Sequence, residues 1–359
     1  MRPLLTDKPV VRAGDSVAPY TAGLIYSDNL IDRLAARCPS FAPARGPDSS
    51  EIRMVRMDDH RDIYVDAGDG LAWFVDRNRR EVLTVHASRT EWPPVQLANI
   101  IQEISTRYLE DQGWILLHAS AVSAKDGVFI CVGDSGAGKT TLMAALMDAG
   151  CAYVANERCF VRTIDDKPFA LGFLMVANIP LPVVSMHKGL RRALLERDDA
   201  IYPRRRIVRH RVTRTPEDRW PELPDELQLM PTELCAAMET QPPWQGGPIL
   251  GLVRPSASRK PKNPIMREME VYEVRDLLDR NHYRHATDGD YPAWLNLGFS
   301  EAPYDPEELL RLSAIEFTFH PTPDGIFGLN DPVDVMRNAL DSVGRKPGLL
   351  GRVRNKLGG

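Results

Sequence analysis

Apolar and polar positions along this chain change rhythm several times, and the changes mark its elements. Between Glu51 and His86 three short strand-like runs, Ile63-Tyr64-Val65-Asp66, Ala72-Trp73-Phe74-Val75 and Glu81-Val82-Leu83-Thr84-Val85-His86, are separated by the turn signals Gly68-Asp69-Gly70 and Asp76-Arg77-Asn78-Arg79. They predict a small antiparallel sheet. From Gln96 to Leu109 the apolar residues fall at helical spacing, with Gly113 as a stop, which predicts a packing helix. Trp114 to Ser123 follows as an apolar strand carrying His118. Lys125-Asp126-Gly127 then turns the chain into a second apolar run, Val128-Phe129-Ile130-Cys131-Val132, so the two strands are expected to pair as a hairpin. Leu142 to Met147 reads as helix ending at Gly150, and Ala152-Tyr153-Val154-Ala155 as another strand.

Beyond this, Gly172 to Val176 looks strand-like before Pro180 and Pro182 break the chain. Pro248 to Pro255 reads as a buried strand, and Glu268 to Asn281 begins extended and continues as helix. Ala314 to His320 is a late strand, and Pro332 to Leu340 a closing helix capped by Asp331. The first fifty residues are rich in Pro, Gly and Ser and read as loop, with one helix at Ser27 to Arg37 capped by Ser27 or Asp28. The organisation expected is a loop-rich and β-rich region over 1–110, a second domain over 111–343 and a basic flexible tail over 344–359.

Composition narrows the function classes. A chain of 359 residues with 43% hydrophobic content can bury a proper core in one large domain or two. The net charge of −4 gives no global reason to expect nucleic acid or an acidic membrane surface. The charge is uneven, however. A basic insertion near 186–220 carries Lys188, Arg191, Arg192, Arg197, Arg204, Arg205, Arg206, Arg209, Arg211 and Arg214. It reads either as a solvated face or as a segment that caps a triphosphate or receives an acidic acceptor. The five cysteines have no C-x-x-C spacing and read as reduced, mostly buried thiols. With no apolar run of membrane-spanning length and no signal-peptide core, the cytoplasm is the expected compartment.

The chemistry concentrates in Gly133-Asp134-Ser135-Gly136-Ala137-Gly138-Lys139-Thr140-Thr141, which fits the P-loop pattern G-x-x-x-x-G-K-[ST] between a strand and a helix. The glycines let backbone N–H groups turn toward a phosphate, and the helix N-terminus adds positive potential. Lys139 neutralises β/γ oxygens, and Thr140 supplies a hydroxyl to Mg²⁺. Just past the next strand, Asn156-Glu157 places an acid where a metal-binding or nucleophile-orienting residue belongs, with Glu157 the best candidate in the chain. ATP and Mg²⁺ are the expected cofactors.

His118, the loop in the form Gly-Asp-Ser-Gly-x-Gly-Lys, Gly150 and Val154-Ala155-Asn156-Glu157 together resemble the catalytic core of HPr kinase/phosphorylase and its orphan relatives, over about residues 114–161. The resemblance implies an α/β fold akin to phosphoenolpyruvate carboxykinase, with a P-loop on a mixed sheet. It also implies ATP- and Mg²⁺-dependent phosphorylation of a hydroxyl on a peptide, protein or small molecule, and a chain that forms homo-oligomers. By the same resemblance Lys139 meets the β/γ phosphates, Thr140 and Glu157 hold the metal, and His118 lies near the reacting phosphate.

One position departs from the family pattern. Where relatives carry an aspartate thought to take the acceptor proton, this chain has Asn156, which is no base. Either Glu157 or His118 takes that role, or an oriented hydroxyl suffices in a loose transition state, or transfer is lost and the chain acts as a nucleotide-dependent switch, an ATPase or a pseudokinase.

Overall fold

The computed structural model describes residues 20–27, 30, 31, 33, 34, 52–66, 70–87, 93–173, 175–196, 203–258, 260, 263–283, 297, 304–323, 325, 326 and 328–344. The tail expected to be flexible over 344–359, apart from Gly344, and most of the helix expected at Ser27 to Arg37 lie outside them, although Ser27 Oγ does accept from Leu30 N at 3.3 Å. Two compact units emerge, one comprising 1–108 with 289–299 and the other 109–288 with 300–359.

The first unit holds β1 (Thr21–Tyr26), β2 (Ile52–Arg56), β3 (Arg61–Asp66), β4 (Leu71–Asp76) and β5 (Glu81–His86), in the order β1-β5-β4-β3-β2. Strands β2 to β5 are an antiparallel meander: β3 to β5 are the three expected runs, and β2 is a strand the sequence reading did not name. The expected purely antiparallel sheet is corrected at one edge. Thr21 to Tyr26, placed within a loop-rich stretch by its Pro and Gly neighbours, pairs parallel with β5. Tyr64, Leu71, Trp73, Val75 and Val82 pack with Ile100 and Ile104 of α1 (Pro93–Asp111), the helix predicted from its spacing.

The second unit is built on a curled mixed sheet. Its strands are β6 (Ile115–Leu117), β7 (Ala119–Ala124), β8 (Gly127–Val132), β9 (Ala152–Ala155), β10 (Cys159–Ile164), β11 (Lys167–Gly172), β14 (Gly246–Ala257), β15 (Ile265–Glu268) and β16 (Ala314–Phe319). The order is β6-β10-β11-β14-β8-β7-β9, with β16 parallel to the second half of β14 and β15 antiparallel to β16. A separate two-stranded ribbon pairs β12 (Ala177–Pro180) with β13 (Glu226–Leu229).

Strand β8 is buried along its whole length, and its alternation serves two cores. Phe129 and Cys131 point to the face covered by α2 (Lys139–Asp148), where Leu142, Met143, Leu146 and Met147 meet Phe317, Phe319, Met336 and Leu340. Val128, Ile130 and Val132 point to the opposite face, toward Val274, Leu277 and Leu278. A strand buried on both faces has no polar alternation to show, which is why Val128 to Val132 reads as one apolar run. The remaining helices are α3 (Leu181–Met186), α4 (Lys188–Glu196), α5 (Pro203–Val212), α6 (Pro231–Ala237), α7 (Val271–Asn281) and α8 (Pro332–Gly344). Asp331 caps α8 as its sequence predicts, its carboxylate accepting from Asp334 N at 3.0 Å.

Two further expectations are corrected. The strand drawn from Trp114 to Ser123 is interrupted at His118, because its two halves serve different partners: β6 pairs with β10, and β7 with β8 and β9. The strand expected at Gly172 to Val176 ends at Gly172, and the next begins at Ala177. The hairpin of β7 and β8 is present, so β7 lies between β8 and β9, and Asn156-Glu157 leaves the sheet one strand removed from the glycine loop.

Among the described residues no helix is long and apolar enough to cross a membrane. Cys131, Cys151, Cys159 and Cys235 are free and buried, as expected, while Cys38 lies outside the described residues. Burial pushes the thiols of Cys131 and Cys159 up to about 12.

Candidate functional site

The glycine loop leaves β8 at Gly133 and enters α2 at Lys139. Gly136 and Gly138 have φ of 79° and 102°, conformations that an L side chain adopts only at a cost. Gly138 is doubly constrained, since a Cβ there would lie 2.8 Å from Ala257 Cβ at the end of β14, whose N–H donates to Ala137 O at 3.1 Å. Over Gly136 the space is open, with no heavy atom within 4 Å of a Cβ position. Gly138 caps α2 without any side-chain hydrogen bond, so the first N–H groups of the helix are left to a ligand or to water. Asp134, Ser135 and Gly136 form the exposed lip, Ala137 and Thr141 are half-buried, and Gly133 is buried.

Lys139 is 8% exposed, and its Nζ donates to the carbonyls of Gly133 at 2.6 Å and Asp134 at 3.2 Å. Burial lowers its pKa from the ordinary lysine value, and the charges of Asp134 and Glu157 oppose that shift. The ammonium is therefore held in a partly dry place where an anion gains more than it would in water.

Thr140, one residue into α2, donates its hydroxyl to Asn156 Oδ1 at 3.2 Å. Asn156 is 3% exposed, and its Nδ2 donates to Asn178 O at 3.1 Å. Because the amide nitrogen is engaged with a carbonyl, the amide oxygen is the atom that faces Thr140. Glu157 follows in the left-handed region, at φ 70°, a conformation costing a non-glycine residue about 1 kcal/mol or more. Its backbone oxygen accepts from Ala119 N at 3.2 Å, and both carboxylate oxygens accept from Asn178 Nδ2 at 3.2 Å. The positive φ turns the side chain back from the end of β9 toward the ribbon that carries Asn178.

His118 is half-buried in the bend between β6 and β7. Its N–H donates to Asn281 O at 2.7 Å at the end of α7. The residue after it, Ala119, pairs with Val132 and bonds Glu157, which sets His118 beside the start of the glycine loop and beside Glu157. Thr140, Asn156 and Glu157 are thus tied into one network through Asn178, with Lys139 next to Thr140 in the chain and His118 one residue from Ala119, which bonds Glu157 O.

Several neighbours escaped the sequence reading. Arg280, in the last turn of α7, donates to both oxygens of Asp134 at 3.1 and 2.8 Å and so pins the lip of the loop. Arg158, 7% exposed, stacks its guanidinium 4.6 Å from the Tyr283 ring centroid and donates to the Tyr283 hydroxyl at 3.1 Å. Asn178 on β12 and Gln228 on β13 lie opposite each other across the two-stranded ribbon. Asn178 between Ala177 and Ile179, and Gln228 between Leu227 and Leu229, are the sequence signals that mark this ribbon, polar side chains set between apolar ones.

Four cations of the basic insertion are paired with acids. Arg191 meets Glu217, Arg192 lies 3.6 Å from Glu239, Arg211 lies 2.7 Å from Asp225, and buried Arg205 lies 2.9 Å from Glu233. Acids from 217–239 therefore offset these four charges, and the four arginines hold the segment together. Lys188, Arg206 and Arg214 are exposed.

The set of donors suits a hard cation shared with a phosphate: a hydroxyl, a carboxylate and an amide oxygen, all oxygen ligands. Among the described residues no group of three or more His, Cys, Asp or Glu side chains is gathered as a metal cage. Mg²⁺ needs none, since it commonly takes one or two protein oxygens and completes its shell with phosphate oxygens and water.

No family model matches the chain, and no curated protein matches it. Among solved structures the chain is similar to the HPr(Ser) kinase/phosphatase from Coxiella burnetii, at 10% sequence identity and a TM-score of 0.27, over 68% of this chain and 99% of that one. At that TM-score the likeness leaves the chemistry to be argued from the residues.

Proposed function

We propose that this chain is an ATP- and Mg²⁺-dependent phosphotransferase that moves the γ-phosphoryl group to a hydroxyl acceptor. The observation that carries the reading is the buried Lys139 ammonium at the uncapped N-terminus of α2, near enough to Glu157 to feel its charge, with the adjacent Thr140 hydroxyl joined through Asn156 to Asn178, the residue that holds the Glu157 carboxylate. The N–H groups of Gly136 and of Gly138 to Thr141 and the partly dry Lys139 would hold the triphosphate, the Ala137 N–H being engaged with Asp134 O at 3.1 Å. Thr140 and Glu157 would hold Mg²⁺, which when bound neutralises charge on the transferring phosphoryl group. As a phosphate arrives, Lys139 exchanges carbonyl partners for anionic oxygens, the stronger charge-assisted bond.

The acceptor hydroxyl has to lose a proton. Asn156 has no basic lone pair, and its amide is already committed to Thr140 and Asn178. Glu157 and His118 are the neighbouring groups that can accept one. The commitment of Asn156 also supports a second reading, a nucleotide-dependent switch or ATPase that engages a partner without transfer. Incubation with γ-labelled ATP, Mg²⁺ and an extract of the host separates the two: a labelled acceptor that needs Lys139 supports the kinase, and release of phosphate alone supports the switch.

A further inference from the structure

Asn178 is joined to both residues beyond β9, and by different atoms. Its backbone carbonyl accepts from Asn156, and its side-chain amide donates to Glu157. The ribbon explains the placement. In the alternation of β12 and β13, Ala177, Ile179, Leu227 and Leu229 are fully buried in the core on one side. Asn178 and Gln228, directly opposite each other, therefore face the other side together.

Gln228 sets the orientation of the Asn178 amide. Gln228 Nε2 donates to Asn178 Oδ1 at 3.1 Å, so the amide nitrogen is the end that faces Glu157. Turned over, the amide would set its oxygen against a carboxylate and its NH₂ against that of Gln228. Gln228 is itself anchored. Its carbonyl accepts from Arg205 Nε at 3.0 Å and Nη2 at 2.6 Å, and Arg205, 1% exposed, also bonds Glu233 at 2.9 Å. Glu233 in turn accepts from Met230 N at 2.9 Å.

Resting on the phosphotransferase reading, we propose that Asn178 is a positioning residue for Glu157, held in register by Gln228 and by the buried Arg205 of the basic insertion. The arginine-rich segment then reaches the site through this chain of hydrogen bonds. The Asn178 amide behind it orients the Glu157 carboxylate, whose two oxygens each carry more than the one lone pair the amide uses. Because the Asn178 backbone carbonyl survives any substitution, a change of this side chain removes its hold on the Glu157 carboxylate and leaves Asn156 and Thr140 held.

The test uses the full-length protein as wild type, Asn178→Ala and Gln228→Glu, with Lys139→Ala as control. Gln228→Glu keeps the shape but places an acceptor against Asn178 Oδ1, and so disturbs the amide without touching Glu157. Binding of a fluorescent ATP analogue is titrated without and with Mg²⁺, transfer is followed by label, and thermal unfolding checks the fold. Asn178→Ala is expected to raise the Mg²⁺ requirement for nucleotide binding and to lower kcat by about 10- to 100-fold, as loss of a ligand-orienting hydrogen bond does. Metal-free nucleotide affinity and KM should stay within about twofold of wild type, and Gln228→Glu should move in the same direction by less. An unchanged Mg²⁺ requirement and kcat in a folded Asn178→Ala protein would overturn the positioning role alone. A wild-type protein that binds no Mg²⁺–nucleotide would overturn the phosphotransferase reading and this role with it.

Discussion

Thr140 and Asn156 are joined hydroxyl to amide oxygen at 3.2 Å, and the same amide donates its nitrogen to Asn178 O at 3.1 Å. The residue that replaces the aspartate of the resembled family is thus a bridge between the first turn of α2 and the β12–β13 ribbon. An aspartate here would set an anionic oxygen against the Asn178 carbonyl and a second negative charge beside Glu157.

Asn156→Asp therefore tests whether the amide is a structural bridge or a lost base. The expected outcome is a loss of about 1–3 kcal/mol of stability, the cost of a buried acceptor facing another acceptor, together with weaker transfer. Chemical denaturation and a labelled-transfer assay read both. Higher transfer at unchanged stability would show that the acceptor proton needs the missing carboxylate.

The two glycines at positive φ should respond differently to the same change. Gly136→Ala meets open space and carries the backbone cost alone, about 1–2 kcal/mol. Gly138→Ala adds a 2.8 Å clash with Ala257 Cβ, and overpacking of this kind costs roughly 1–3 kcal/mol more. Denaturation midpoints should rank wild type above Gly136→Ala above Gly138→Ala, with nucleotide binding lost in the last. Equal effects would mean that β14 does not clamp the loop.

The depressed pKa of Lys139 makes a prediction about pH. In the folded protein the ammonium gives up its proton below 10.5, the ordinary lysine value, whereas in the unfolded chain it keeps the proton up to that value. Between the two the unfolded state binds more protons, so this group makes stability rise with pH across the window just below 10.5 and subtracts from it at lower pH. The difference in unfolding free energy between wild type and Lys139→Met, followed through that window, should show this slope. A flat difference would mean that burial does not penalise the ammonium. A bound phosphate anion should weaken the slope by favouring the charged form.

Much of this site was legible because its chemistry is local in sequence. The glycine loop, the apolar strand before it and the helix after it are contiguous, and Asn156-Glu157 follows within one further strand. The β7–β8 hairpin announces itself through Lys125-Asp126-Gly127. What stayed hidden is long-range. Asn178 and Gln228 are 50 residues apart, on four-residue strands, the first of them ending in Pro180, and nothing in either stretch reveals their pairing. Arg205 reads as one charge in a run, and only its position beneath Gln228 distinguishes it from the exposed Arg206. His118 was legible as a residue of interest but not as a break. An apolar stretch does not say where a strand changes partners, and here β6 and β7 part company at that residue.

The central claim is that Lys139 and its loop serve phosphoryl transfer, and one measurement bears on it most directly. Purified wild-type and Lys139→Ala proteins are incubated with γ-labelled ATP and Mg²⁺ in the presence of an extract of the host, and label in acceptors is separated from free phosphate. The account predicts a labelled hydroxyl-bearing acceptor with wild type and, with Lys139→Ala, a loss of label of roughly 100-fold or more, the scale of removing an electrostatic donor from a charged transition state. Transfer undiminished by Lys139→Ala, or a wild-type protein that binds ATP and never passes its phosphoryl group to an acceptor, would contradict it.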